Sequence, residues 1–277
     1  MKFTLQPCLR MLGVALAATA MSSAQAELID RGGGLIYDTV LNITWLQDSN
    51  YAATSGYQVP GRAADDPMIN GLMDWAESMA WAQNLNYYDS VRGVTWSDWH
   101  LPSVRPVGGG PTMVSAVATD GSSDDSYNIS APGSMYPGST ASHLAYLYFN
   151  TLGNVAMCAP NTGFAGCLLP SDPRPVPFNF GPFSNPGGGY WTNSNADVVY
   201  AADAWGFRIQ GAEYGAQAAM NGTGYWGRGT AWAVMDGDVG LAPIPETGTL
   251  SMMVAGLMVG WGVRRRIRRA GSPTCAL

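Results

Sequence analysis

The chain has 277 residues, 47% hydrophobic and 11% aromatic, which fills a core and excludes wholesale disorder. Its 35 glycines and 18 prolines favour a turn-rich domain over a helical bundle. Residues 27–246 hold all 20 acids against seven arginines and no lysine, so this acidic body excludes a basic face for nucleic acid.

The chain opens with Lys2 and Arg10, an apolar run Met11–Ala20 and the small-x-small exit Ala24-Gln25-Ala26. This order reads as a secretory signal peptide over 1–26, cleaved after Ala26. The run is too short to span a bilayer, which takes roughly 20 apolar residues. It also lacks the polar face of a buried amphipathic helix.

A hairpin is expected over 33–47, with Leu35-Ile36-Tyr37, a turn at Asp38-Thr39 and alternating Leu41–Leu46. A helix follows, capped at Asn70, with Asp74 and Glu77 near its start and Leu72, Trp75, Met79 and Ala82 on one face. Residues 105–141 are low in complexity and too long for an ordinary loop, so they read as a surface insertion. A second helix is expected over Ser142–Leu152, presenting Leu144, Leu147 and Tyr148 and stopping at Gly153. Cys158 and Cys167, the two cysteines outside the terminal segments, read as a loop disulfide in an exported chain. The last third reads as strands at Tyr190-Trp191-Thr192, Ala204–Ile209 and Ala231–Met235, with Asp236-Gly237 turning the chain out.

Beyond residue 242 come Pro245-Glu246-Thr247-Gly248, an uncharged apolar segment over 247–263, and Arg264, Arg265, Arg266, Arg268 and Arg269. An apolar helix with a cationic plug is a stop-transfer element. The arrangement over 243–277 resembles the PEP-CTERM sorting signal, with Pro245 and Glu246 at motif positions and Thr247 where that motif has its second proline. The resemblance implies an exosortase as processing partner, a transient membrane tail, and delivery to the surface or extracellular matrix of a Gram-negative bacterium. Ile244–Gly248 is also similar to the sortase motif, and a permanent single-pass anchor is the third reading.

Five segments in order resemble one family: Gly34–Asp38 with Asn42–Leu46; Trp75–Ala82 with Leu85; Trp99–Ser103; Gly189–Asn193; and Ala231–Gly237. They are similar to the C-terminal domain of the Legionella collagen-like adhesin (the Lcl C-terminal family), over one domain spanning 27–242. The resemblance implies an α+β, C-type-lectin-like fold, with two main helices against a twisted, mainly antiparallel sheet. It places Trp45, Trp99, Leu101, Pro102, Trp191 and Trp232 in the core. Trp81, Trp96 and Trp226, less constrained by these motifs, are candidates for stacking on glycan. The founding adhesin binds polyanions through a basic surface, which this lysine-free body does not offer.

Gly222-Thr223-Gly224-Tyr225-Trp226-Gly227 fits a dinucleotide pattern but lacks the following helix. No G-x-S-x-G, Walker A or H-E-x-x-H motif occurs, and His100 and His143 read as structural. Asp120 and Asp124, and separately Asp236 and Asp238, are candidate calcium ligands without completing an EF-hand loop; no other cofactor is expected. The expectation is a non-enzymatic surface or matrix protein that binds exopolysaccharide or an extracellular partner. The alternative is a secreted carbohydrate-active enzyme with an unlocated carboxylate pair.

Overall fold

A computed structural model describes residues 27–63, 71–169, 172–173, 177–196, 203–211, 213–221 and 227–241. The expected signal peptide, the expected sorting segment and Trp226 lie outside these residues. The described chain is mixed α+β, with mostly sheet and few helices. Its strands are β1 (Leu28–Gly32), β2 (Leu35–Asp38), β3 (Ile43–Leu46), β4 (Leu72–Met73), β5 (Tyr87–Asp89), β6 (Val94–Trp96), β7 (Ser126–Tyr127), β8 (Gly189–Asn195), β9 (Asp203–Arg208), β10 (Ala216–Asn221), β11 (Gly229–Thr230) and β12 (Val234–Asp236). They form an antiparallel sheet β1-β2-β3-β12 and a larger sheet β4-β11-β8-β9-β10-β7, whose one parallel pair is β11–β8, plus the β5–β6 hairpin. The expected hairpin is present as β2–β3, with Leu35 opposite Leu46 and Ile36 opposite Trp45.

Several strands bury both faces. Leu35, Leu46, Trp191 and Ala204 enter one core cluster, while Ile36, Trp45, Tyr190 and Phe207 enter the other. Sheets covered on both sides read as runs of apolar residues instead of clean alternation. The chain segment 229–236 links the two sheets. β11 lies in the larger sheet and β12 in the smaller, with Ala231 and Ala233 in one core and Trp232 in the other. Trp232 sits 4.7 Å from the ring of Trp45 and 5.0 Å from Tyr190, and its Nε1 donates to Leu46 O.

The helices are short: α1 (Tyr51–Thr54), α2 (Trp75–Gln83) and α3 (His143–Tyr146). The expected start of α2 is corrected. Asp74 is the cap, accepting from Glu77 N at 2.8 Å while Glu77 accepts from Asp74 N, and Leu72 belongs to β4. Asn70 lies outside the described residues. Ser78, Trp81 and Ala82 are buried, Trp75 and Met79 of the expected face pack against the same core, and the indole of Trp75 donates to Thr192 O to seat the helix on β8. The second helix starts at its Ser142 cap, continues from α3 into a π-helical turn over Leu147–Thr151, and ends at Gly153. Gly153 has φ +69°, the left-handed conformation that ends helices cheaply only at glycine.

Residues 105–141 are not a surface insertion. Val107, Tyr127, Ile129 and Ala131 enter the core, and β7 pairs with β10. Asp124, only 1% exposed, holds the segment together, its carboxylate accepting from Val107 N and Val114 N, both at 2.7 Å.

Trp232→Ala should lower unfolding stability by about 3–5 kcal/mol, as a large core truncation does. Asp74→Ala should cost only about 1 kcal/mol, the usual value of a cap. Urea unfolding of both variants checks the ordering; a Trp232 variant as stable as the Asp74 variant would contradict the core assignment.

Candidate functional site

A groove of about 480 Å³ lies beside the disulfide loop. One wall is Phe149, Gly153 and Asn154 at the end of the π-helical turn, and another is Ala131 and Pro132. The third is Val155–Pro160 with Gly166 and Leu168. Cys158 and Cys167 stand at disulfide distance, with S–S 1.98 Å, closing the loop that carries this third wall.

Side-chain amides hold these irregular walls in place. Asn128 Nδ2 donates to Cys158 O at 2.8 Å and to Thr119 O at 2.7 Å. Asn154 and Asn179 exchange bonds, Asn154 Nδ2 donating to Asn179 O and Asn179 N donating to Asn154 Oδ1. Asn161 Nδ2 donates to Gly133 O at 2.9 Å, tying the disulfide loop to the 131–136 turn. The backbone of Met157 accepts from Leu168 N and donates to Tyr214 O. These bonds spare the segment the cost of unpaired backbone groups and hold the groove open.

The groove is largely apolar. Among the described residues, its lining carries no Asp, Glu, His, Lys, Arg, Ser, Thr or Tyr, and its cysteine is in the disulfide. It can therefore seat an apolar group, but it supplies neither a nucleophile nor a proton carrier. The surrounding segments also expose Met135 (58%), Val155 (37%), Phe164 (60%) and Leu169 (65%). Apolar surface gathered around a concavity marks interaction sites.

The sequence-derived candidates fall elsewhere. Trp45, Trp99, Leu101, Pro102, Trp191 and Trp232 are all buried. Trp81 is corrected: at 3% exposure it lies in the core and has no face for a sugar. Trp96 is half-buried against the same cluster, its Nε1 donating to Asp89. Among the neighbouring tyrosines, Tyr88 is 63% exposed, while Tyr87 bonds Gly33 O and packs 6.0 Å from Trp99.

The calcium candidates do not converge. Asp124 is committed to two backbone amides, Asp120 accepts from Ser122 N, and Asp238 pairs with Arg31. Asp236 is a largely exposed side chain 3.4 Å from His100 Nε2. Among the described residues, no three His, Cys, Asp or Glu side chains gather to hold a metal ion.

The sequence offered no reason to group Ser103 with His143, yet Ser103 Oγ lies 2.8 Å from His143 Nε2. The Ser103 amide, which can only donate, points at His143 Nδ1 from 3.3 Å. Burial, reinforced by His100 and Arg105, pushes His143 down to about 4, so the ring is neutral near pH 7. Ser103 Oγ also lies 3.3 Å from Nδ1, so the hydroxyl meets both ring nitrogens and the tautomer sets the direction of the bond. With His143 N donating to Ser103 O, the pair latches two crossing segments.

Against protein-family models, curated proteins and solved structures, the chain has no match.

The depressed value of His143 makes the latch acid-sensitive. An unfolded histidine takes its proton near pH 6.5, whereas the folded one resists until about 4. Protonation therefore favours unfolding, and stability should fall as pH drops from about 6.5 towards 4. Urea midpoints across that range should show His143→Gln losing less stability than the wild type; parallel losses would remove the histidine from the account.

Proposed function

We propose that the mature chain is an exported, non-catalytic surface module that captures an extracellular protein partner by seating an apolar segment in the groove at the disulfide loop. The observation that carries this reading is the lining: a ligand-sized concavity without an ionisable side chain or hydroxyl, surrounded by exposed apolar residues. Burial of Trp81 and the half-burial of Trp96 move the reading from glycan towards protein. The acidic surface fits the same choice, since it repels anionic polymer at long range.

The rest of the proposal rests on sequence. The signal peptide and the 243–277 segment support export, exosortase-type sorting and a cell-surface or matrix location. The five motif segments support an Lcl C-terminal-like domain, and the two-core α+β architecture is compatible with a C-type-lectin-like fold. The alternative of a carbohydrate-active enzyme draws no support from the groove.

The test is a phage-displayed peptide selection on the purified protein, run beside a glycan array and a glycan-cleavage screen. Enriched peptides should carry adjacent Leu, Phe or Met, and Leu168→Asp should weaken them at least tenfold while near-UV dichroism stays unchanged. Glycan turnover abolished by one Asp or Glu substitution would overturn the proposal. Sorting has its own check: mass spectrometry of the surface-released protein should find no peptide from 250–277, and finding the intact tail there would replace sorting with a permanent anchor.

A further inference from the structure

A second cleft, of about 380 Å³, lies between Arg105–Gly110 and Ser139–Ala141 and shares no lining residue with the apolar groove. Its walls are fixed at the base. Arg105 N donates to Ala141 O at 2.8 Å, Val104 bridges Ser142, and Val107 N is held by the buried Asp124. Gly109 N closes a turn onto Pro106 O at 3.0 Å, and Ser139 Oγ accepts from Ala141 N.

The charge in this cleft differs from that of four other described arginines. Arg31, Arg62, Arg92 and Arg208 each pair with a carboxylate: Asp238, Glu77, Asp89 and Glu213. Arg105 is exposed, and among the described residues its guanidinium hydrogen-bonds to Thr140 O alone, at 3.5 Å. In a body with 20 acids, a guanidinium without a carboxylate partner is a place where an outside carboxylate meets attraction at short range. The surroundings add a second kind of contact. Tyr136, 37% exposed, stands against Gly108 of the Arg105–Gly110 segment, where a Cβ on that glycine would be 3.3 Å from its hydroxyl. Pro106 lines the same cleft as Ser139 and Thr140, so an apolar surface, two hydroxyl-bearing side chains and a cation face one volume.

We propose that this cleft binds a carboxylate-bearing sugar of the uronate class, its carboxylate on Arg105 and its ring against Tyr136 and Pro106. A flat carboxylate accepts two parallel bonds from the guanidinium fork. The C–H face of a sugar ring suits an aromatic neighbour, and its hydroxyls suit the Ser139–Thr140 wall. The body's negative field disfavours a long polyanion and leaves room for a short chain or a terminal residue. This site is independent of the apolar groove, so either can fail without the other.

The experiment is titration calorimetry on the full chain with three probes: digalacturonate, its methyl ester and acetate. Digalacturonate should bind at least tenfold more tightly than the ester, which keeps the ring and loses the charge. It should also bind at least tenfold more tightly than acetate, which keeps the charge and loses the ring. Arg105→Gln should lose at least tenfold in digalacturonate affinity, and Arg105→Lys should fall between it and the wild type because it keeps the charge without the fork. Tyr136→Ala should narrow the gap between digalacturonate and acetate. The arginine side chain holds one weak bond, so near-UV dichroism of its variants should match the wild type. Equal affinity for ester and acid, or unchanged binding by Arg105→Gln, would overturn the site. Acetate binding as tightly as digalacturonate would overturn its assignment to a sugar.

Discussion

The constraint on which the rest depends is the passage of residues 229–236 from one sheet to the other. β11 and β12 are too short to stabilise a sheet by themselves. Their value lies in where they pair: Thr230 opposite Tyr190 in the larger sheet, and Val234 to Asp236 opposite Trp45 to Ile43 in the smaller. Between them, Ala233 O accepts from Leu46 N, and Val234 exchanges both backbone bonds with His100. One strand-like passage thereby joins both sheets and the Trp99–Ser103 segment. Alternation then delivers Trp232 to one core and its two flanking alanines to the other. Small residues are required on the alanine side, where Trp99 and Trp191 already fill the space.

The readable parts of the sequence are those where local pattern and tertiary demand agree. The β2–β3 hairpin alternates around a polar turn, and its register follows from that alternation. The second helix has a serine cap and a stopping glycine, both used by the fold. The first long helix was misjudged because Leu72 extends its 3.6-residue pattern backwards. The Asp74–Glu77 box overrides that pattern and turns Trp81 inward. β10, Ala216–Asn221, was invisible because Ala, Gln and Asn carry little strand propensity. Its pairing with β9 along six residues comes from tertiary packing. The 105–141 stretch misled for a related reason: its glycine, serine and aspartate composition looks solvated, yet Ser123, Asp124, Ser126, Asn128 and Ser130 are all buried.

Those buried polar residues explain how a turn-rich chain satisfies its backbone. Aspartates 30, 38, 48, 74, 89, 120, 124 and 172 each accept a bond from a backbone amide within the described chain. Most serve an amide two or three residues on, the geometry by which a short carboxylate stands in for a main-chain turn. Asp38 does this with no exposed surface, its carboxyl pushed up by burial while Val40 and Leu41 amides pull it back. Much of the acidic composition is therefore structural. In composition, Asp120 and Asp124 fit solvated loop acids or calcium candidates equally, because a turn-forming aspartate and a metal-binding one have the same signature; only the placement of the amides separates them.

The same economy determines where recognition can sit. The sheets spend their large side chains on two cores, which leaves Trp45, Trp99, Trp191, Trp205 and Trp232 with 1% exposure or less. Recognition is left to the irregular segments, as is common where a rigid scaffold carries variable loops. The 105–141 stretch supplies a wall to both concavities: Asn128, Ala131 and Pro132 to the groove, and Arg105–Gly110 with Ser139–Ala141 to the cleft. A loop of that length ordinarily loses affinity to the entropy of ordering it. Here Asp124 binds its two arms at Val107 and Val114, Gln217 donates to Asp124 O, and β7 joins the stretch to β10. Ordering is thus completed on folding, and the buried carboxylate of Asp124, a candidate metal ligand by composition, is what fixes the stretch that walls both concavities.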